Sequence, residues 1–193
     1  MPSQKNKQKY HFVAISGSLR KGSYNTMALK TAQKLAPAHV TIEHLNIDGV
    51  PLYNFDKHDK DFPEAVDKLC DAIKAADAVI IVTPEYNYSV PGVLKNTIDF
   101  ISLSPKKAFD MKPVGIMGAS PGLLGTTRAQ YHLRQILVNL NAYVMNRPEI
   151  MISQADNKFD ASGNLKDDKT IALFGKFIES LVEFSQRLNQ NED

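Results

Sequence analysis

Strand and helix signals alternate along the chain, and that alternation predicts an α/β fold: a doubly wound, five-stranded parallel sheet with helices on both faces. Two further observations agree with it. Residues 12–15 (Phe-Val-Ala-Ile) and 78–82 (Ala-Val-Ile-Ile-Val) are apolar at every position, as parallel strands covered on both faces are. The three most unusual loops, rich in Gly, Ser, Pro or Tyr, all leave the carboxyl ends of strands.

Taken in order, the first strand is expected at 12–16. The first helix is expected at 25–35, where apolar residues recur at helical spacing before Pro37 stops it. Residues 40–45 alternate in polarity, as an edge strand does. A second helix starts near Pro63 and places Val66, Leu69, Cys70 and Ile73 on one stripe, so Cys70 reads as a small core residue. The third strand, 78–82, stops at a polar and aromatic loop, 83–92, stiffened by Pro84 and Pro91. A third helix follows at 93–102, with Leu94, Ile98 and Ile101 on one stripe. The fourth strand (113–117), the loop 118–127, a fourth helix (128–140), a fifth strand (143–145) and a last helix (169–188) complete the pattern. Five strands fit the flavodoxin-like order 2-1-3-4-5, which places a ligand outside the carboxyl ends of strands one and three. The three unusual loops should therefore converge on one site.

Composition narrows the function classes. A chain of 193 residues, 43% hydrophobic, suits one domain, expected at 11–193 behind a disordered basic tail at 1–10. With 23 Lys plus Arg against 21 Asp plus Glu, the formal net charge of +2 leaves no footprint for nucleic acid. No apolar run approaches the ~18 residues that a membrane span needs. A polar N-terminus without a signal-peptide core and a single Cys lead to the expectation of a cytoplasmic location. The five His residues are scattered without metal-ligand spacing, so no metal is expected. Ser18 and Ser120 lie outside any G-x-S-x-G, which disfavours a serine hydrolase.

The first loop, Gly17-Ser-Leu-Arg-Lys-Gly-Ser-Tyr-Asn-Thr26, joins a buried strand to a helix start, where backbone N–H groups and the helix dipole favour an anion. Ser18, Ser23, Asn25 and Thr26 add donors, and Arg20 adds a guanidinium fork. An ordinary capped turn, with Ser23 or Asn25 as N-cap, is the plain alternative. The loop is neither GxGxxG nor a P-loop: Leu19 breaks the first pattern, and Ser23-Tyr24 stands where the second needs Lys-Ser or Lys-Thr. What remains suits a terminal monophosphate. The second loop, Pro84-Glu85-Tyr86-Asn87-Tyr88, offers backbone amides and aromatic rings to a planar heterocycle; surface aromatics are the plain alternative. The third, with Gly118, Ser120, Pro121 and Gly122, allows close backbone approach and supplies a hydroxyl. A ligand with a phosphate, a polyol linker and a flat ring bridges all three, and FMN is such a ligand.

Gly17-Ser-Leu-Arg-Lys-Gly-Ser-Tyr-Asn25 and Pro84-Glu-Tyr-Asn-Tyr-Ser-Val-Pro-Gly92 with Leu94-Lys-Asn-Thr-Ile-Asp99 resemble the NADPH-dependent FMN reductase family. Residues 130–137 (Gln-Tyr-His-Leu-Arg-Gln-Ile-Leu) resemble its bacterial quinone and chromate reductase branch, and the likeness spans roughly 12–149. The resemblance implies a flavodoxin-like fold and noncovalent FMN, with NADPH or NADH as electron donor. It implies phosphate contacts from Ser18, Arg20, Ser23, Asn25 and Thr26, beside Tyr24. It implies isoalloxazine contacts, mainly through backbone, from the loop of Pro84, Glu85, Tyr86, Asn87 and Tyr88, and places Ser120, with Gly122 nearby, by the ring or ribityl chain. It further implies a homodimer or homotetramer with helix 128–140 at an interface, where residues matching Arg128, Tyr131 and Glu149 form a network between subunits. Nothing carries over onto 157–168. The expected activity is transfer of hydride through FMN to a quinone-like small acceptor (flavins, azo compounds or chromate among the others), with the flavin carrying the redox chemistry and no catalytic side chain assigned. The competing expectation is a flavin-binding electron carrier or redox sensor acting through a protein partner. The absence of a strong acidic charge weighs against it.

Overall fold

The computed structural model describes residues 8–55 and 62–189. Strands and helices alternate: β1 (Tyr10–Ser16), α1 (Tyr24–Leu35), β2 (Val40–Leu45), α2 (Glu64–Ala75), β3 (Ala78–Val82), α3 (Gly92–Leu103), β4 (Pro113–Ala119), α4 (Thr127–Asn139), β5 (Tyr143–Val144), β6 (Ile150–Ile152), the one-turn α5 (Ala155–Lys158) and α6 (Asp168–Asn189). The sheet is parallel in the order β2-β1-β3-β4-β5, as the sequence predicts, with β6 also paired to β4.

The period-2 alternation of side chains sorts the strands into two cores. Phe12 and Ala14 of β1 and Ile80 and Val82 of β3 pack with Leu29 of α1 and Phe174, Phe177 and Leu181 of α6. Their neighbours Val13, Ile15, Val79 and Ile81 pack on the other face with Ile73 of α2, Leu94 and Ile98 of α3, and Leu133 and Leu137 of α4. Burying one such side chain is worth about 1.5–3 kcal/mol. A strand apolar on both faces therefore fixes β3 at the centre, and its carboxyl end at the middle of the site. Cys70 lies wholly inside the second core, and burial pushes its thiol up. That keeps it protonated and inert.

Two expectations need adjustment, and one unassigned segment gains structure. Of the expected tail, residues 1–7 lie outside the described residues, but Tyr10 belongs to β1: it is 4% exposed, and its N–H donates to His39 O at 2.8 Å. The fifth strand is two strands: β5 pairs with Pro113 and Val114, and β6 with Met117, Gly118 and Ala119. Pro148, lying between them, has no N–H to offer a ladder. Side chains of α4 fill in, the Arg134 guanidinium donating to Met145 O at 3.1–3.2 Å and Gln130 Nε2 to Ile150 O at 2.9 Å. Residues 155–165, to which the sequence analysis assigns no element, hold α5 and a bridge between Phe159 and Leu165.

At Gly115, in the middle of β4, α6 packs tightly against the sheet. A Cβ there would sit 2.5 Å from Phe177 Cζ and 3.2 Å from Leu181 Cδ2, both fully buried. Gly115→Ala is expected to lower unfolding free energy by about 1–3 kcal/mol through overpacking, as read by urea denaturation. An unchanged midpoint would mean that α6 is not packed on β4 in this way.

Candidate functional site

The site is built at the carboxyl ends of β1, β3 and β4. Gly17 leaves β1 with its N–H on Val82 O at 2.8 Å, and a Cβ on it would meet Leu94 Cδ2 at 2.9 Å, so this turn passes hard against α3. Ser23 is the N-cap of α1, accepting the Asn25 N–H at 3.2 Å, and its own N–H donates to Arg20 O. The capped-turn reading of the loop is thus correct as local structure, and it leaves the question of a ligand open. Asn25, 3% exposed, crosses to β4: its Nδ2 donates to Ala119 O at 2.9 Å, and its Oδ1 accepts from Ala119 N at 2.9 Å. The Asn25 carboxamide therefore joins two loops 94 residues apart, a role that the sequence does not reveal.

The loop after β3 folds back as a hairpin. Tyr86 and Ser89 exchange N–H···O bonds of 3.0 and 2.9 Å, with Asn87 (φ 48°) and Tyr88 (φ 67°) in the left-handed region between them. Asn tolerates that conformation, but for Tyr it costs on the order of 1–3 kcal/mol. The Arg128 guanidinium lies 3.5 Å from the centre of the Tyr88 ring, a cation–π contact worth about 0.5–1 kcal/mol at such an exposed position. That contact offsets part of the strain, and the paired backbone bonds contribute the rest of the hold.

Glu85 turns its side chain away from solvent, which reaches 11% of it. Its Oε2 accepts the Arg128 and Ala129 N–H groups at 3.0 and 3.2 Å, capping α4, and its Oε1 lies 3.0 Å from Arg128 Nε as an ion pair without hydrogen-bond alignment. The carboxylate is a structural acceptor, hydrogen-bonded through Oε2 and ion-paired through Oε1.

At the end of β4 and in the loop beyond it, the chain needs glycine. A Cβ on Gly118 would overlap Thr126 Oγ1 and the Thr83 carbonyl, and Gly125, at φ 55°, presses against the backbone of Met151 and Ser153. Ser120 donates its N–H to Ile152 O, and Ser120 Oγ accepts from Gly122 N at 3.1 Å. This pins the third loop to β6.

The three loops enclose a cleft of about 370 Å³ lined by Ser18, Arg20, Ser23, Tyr24, Asn25, Pro84, Glu85, Tyr86, Ala119, Ser120 and Pro121. The expected convergence is present. Four of the expected residues do not line it. Thr26 bonds Ser16 Oγ at 3.1 Å and faces an adjoining notch of about 190 Å³ shared with Ser18 and Arg20. Asn87 and Tyr88 form the hairpin tip, and Gly122 is held outside by its carbonyl, which accepts from Gln154 N. Phe159, from the segment on which the sequence is silent, stacks on Tyr24 at 5.8 Å, and Arg20 lies 5.7 Å from that same ring. A larger hollow, about 450 Å³, lies between the carboxyl-terminal ends of α3 and α4 and the segment 107–110 that precedes β4, away from the three loops. Among the described residues, no group of three or more His, Cys, Asp or Glu could hold a metal ion.

The donor set fits FMN. Among the described residues, the N–H groups of Ser18, Lys21 and Gly22 in the first loop, and of Glu85, Asn87 and Tyr88 in the second, donate to no protein acceptor. The first group lies beside Arg20 at the start of α1, as an anion needs. Of the second, Glu85 lines the cleft, where the edge of a heteroaromatic ring would find its N–H, while Asn87 and Tyr88 stand at the tip beyond it.

Comparison with known proteins agrees. A family model described as NADPH-dependent FMN reductase matches residues 10–157. The chain is 51% identical over 176 residues to an NAD(P)H-dependent FMN reductase of Pseudomonas aeruginosa, covering 91% of this chain and 95% of that protein. It is 46% identical over 184 residues to a quinone reductase of Escherichia coli K12, covering 94% and 98%. Among solved structures, FerB, an NAD(P)H:(acceptor) oxidoreductase from Paracoccus denitrificans, superposes with a TM-score of 0.84 at 34% identity, covering 92% and 98%.

Asn25→Ala would leave the Ala119 N–H and C=O, themselves 2% exposed, without partners. The expected cost is at least about 1–3 kcal/mol of stability, read by thermal denaturation. A variant as stable as the parent would show that the two loops do not depend on this link.

Proposed function

The chain belongs to the NADPH-dependent FMN reductase family, and from that premise we propose that its cleft holds FMN and makes it an NAD(P)H-dependent reductase of quinones and similar small acceptors. The observation that carries the proposal is the convergence of an anion-binding helix start, a hairpin with unengaged amides and a glycine-requiring loop on one cleft. Bound FMN supplies a two-electron carrier that takes hydride from a nicotinamide nucleotide and returns it to an acceptor.

The chain's own residues bind and orient. Arg20, Ser18 and Ser23 hold the phosphate with the loop amides, and Thr26 reaches it only from the adjoining notch. Tyr24, backed by Phe159, walls one side. Pro84, Glu85 and Tyr86 present backbone to the ring, and Ser120 faces it from β4. The side chain of Asn25 supports the cleft from behind through Ala119. No side chain is assigned as acid or base, since the Glu85 carboxylate is engaged by α4.

A homodimer or homotetramer built on α4 accords with the 50% and 74% exposure of Tyr131 and Val138 on its outer face, flanked by Leu123 and Leu124. Within the single chain, Tyr131 Oη donates to Glu149 Oε1 at 3.1 Å. Among the described residues, no helix is long and apolar enough to cross a membrane.

The direct test is one cuvette: a visible spectrum of the purified protein with FMN, then NADPH or NADH under anaerobic conditions, then menadione. Flavin bands that bleach with nucleotide and return with quinone are expected. Flavin that binds but stays oxidised would favour a carrier or sensor, and failure to bind FMN would overturn the assignment of the cleft. Arg20→Ala removes one charge-assisted phosphate contact. Losing about 1.5–3 kcal/mol should weaken FMN binding by roughly ten- to a hundredfold in a fluorescence titration. Unchanged affinity would remove Arg20 from the site.

A further inference from the structure

We propose that Glu85 is a positioning residue: acting through Arg128, it fixes the left-handed tip of the 86–89 hairpin, so that the wall of the cleft is set by the N-terminus of α4. This rests on FMN occupying the cleft.

Glu85 immediately precedes the hairpin. Its backbone lines the cleft, while its carboxylate leaves it for the first turn of α4. A carboxylate there is favoured twice, by the unsatisfied N–H groups of the helix start and by the dipole. It binds the backbone of Arg128 and Ala129 through one oxygen and draws the Arg128 side chain in with the other. That draws the guanidinium over Tyr88 at 3.5 Å. One turn further along α4, His132 Nδ1 lies 3.1 Å from Ser89 Oγ. The helix thus grips the hairpin at its entry, its tip and its exit. The reciprocal Tyr86–Ser89 bonds close a two-residue turn that needs positive φ at both central residues, and Tyr88, at φ 67°, is strained there as a non-glycine residue. The linkage from α4 through Glu85 and Arg128 to Tyr88 adds to that closure. Its product is the position of Glu85 and Tyr86, which line the cleft ahead of the tip; the Glu85 N–H finds no protein acceptor among the described residues.

The substitution that isolates this linkage is Glu85→Gln. The amide oxygen still accepts the two α4 N–H groups, so the cap survives, but the charge that holds Arg128 is gone. Compared with the wild type would be Glu85→Gln, Arg128→Met, the double variant and Tyr88→Phe, each assayed twice: FMN affinity by fluorescence titration, and melting temperature without FMN. Glu85→Gln and Arg128→Met are each expected to weaken FMN binding by about two- to fivefold, the range of a lost exposed cation–π hold. The double variant should be no weaker than the worse single, because both act through one contact. Tyr88→Phe, which keeps the ring, should bind as the wild type does, and the flavin-free melting temperature of Glu85→Gln should stay near wild type. Wild-type affinity in Glu85→Gln, or losses that multiply in the double variant, would overturn the proposal. A lowered melting temperature with unchanged affinity would reduce Glu85 to a helix cap and also overturn it. If the wild type binds no FMN, the assignment of the cleft falls, and this proposal with it.

Discussion

The Asn25 carboxamide, paired with both the N–H and the C=O of Ala119, is the contact on which the rest of the site depends. A parallel sheet brings the carboxyl ends of its strands to one edge, but it does not fix the distance between the loops that leave them. A side chain with one donor and one acceptor in a rigid plane does so when it meets a backbone that offers the complementary pair. Because the pair is buried, water does not compete for it. The loop that starts α1 is thereby registered against the end of β4, and the loop from β3 is confined between them.

Polar side chains at this edge fall into two kinds. Asn25, Glu85 and Thr26 look outward in the sequence, as ligand donors would, but they are bonded to the protein itself: to Ala119, to the start of α4 and to Ser16. What is left for a ligand is largely main chain, together with Arg20 and the hydroxyls. Composition cannot separate these kinds. A carboxylate three residues beyond a buried strand reads the same whether it caps a helix 43 residues later or faces a substrate.

The sheet order and both cores were legible because period-2 and helical patterns are set by burial, which the apolar residues of 78–82, Leu94 and Phe177 record directly. The convergence of the three loops followed from topology. The fifth strand was not legible in full: Tyr143 and Val144 pair as expected, whereas 150–152, beyond Pro148, drew no strand assignment. Its partners on α4, Arg134 and Gln130, are polar residues of a kind found on any helix surface. Phe159 was missed for a related reason: its stack on Tyr24 depends on a turn closed by Asp160, Gly163 and Asn164, which no periodicity announces.

The divided last strand bears on how the protein behaves in a crowded solution. An intact outer strand shows a continuous row of unpaired N–H and C=O groups, to which any extended chain can add itself. Here that border is two fragments of two and three residues, and the guanidinium of Arg134 covers a carbonyl in the break. The opposite border, β2, carries Thr41, Glu43 and His44 on its exposed positions. Neither margin offers a long, flat, apolar template, so the sheet resists growth by strand addition and recruitment into fibrils. The interruption that costs the fold part of a ladder also guards it against aggregation.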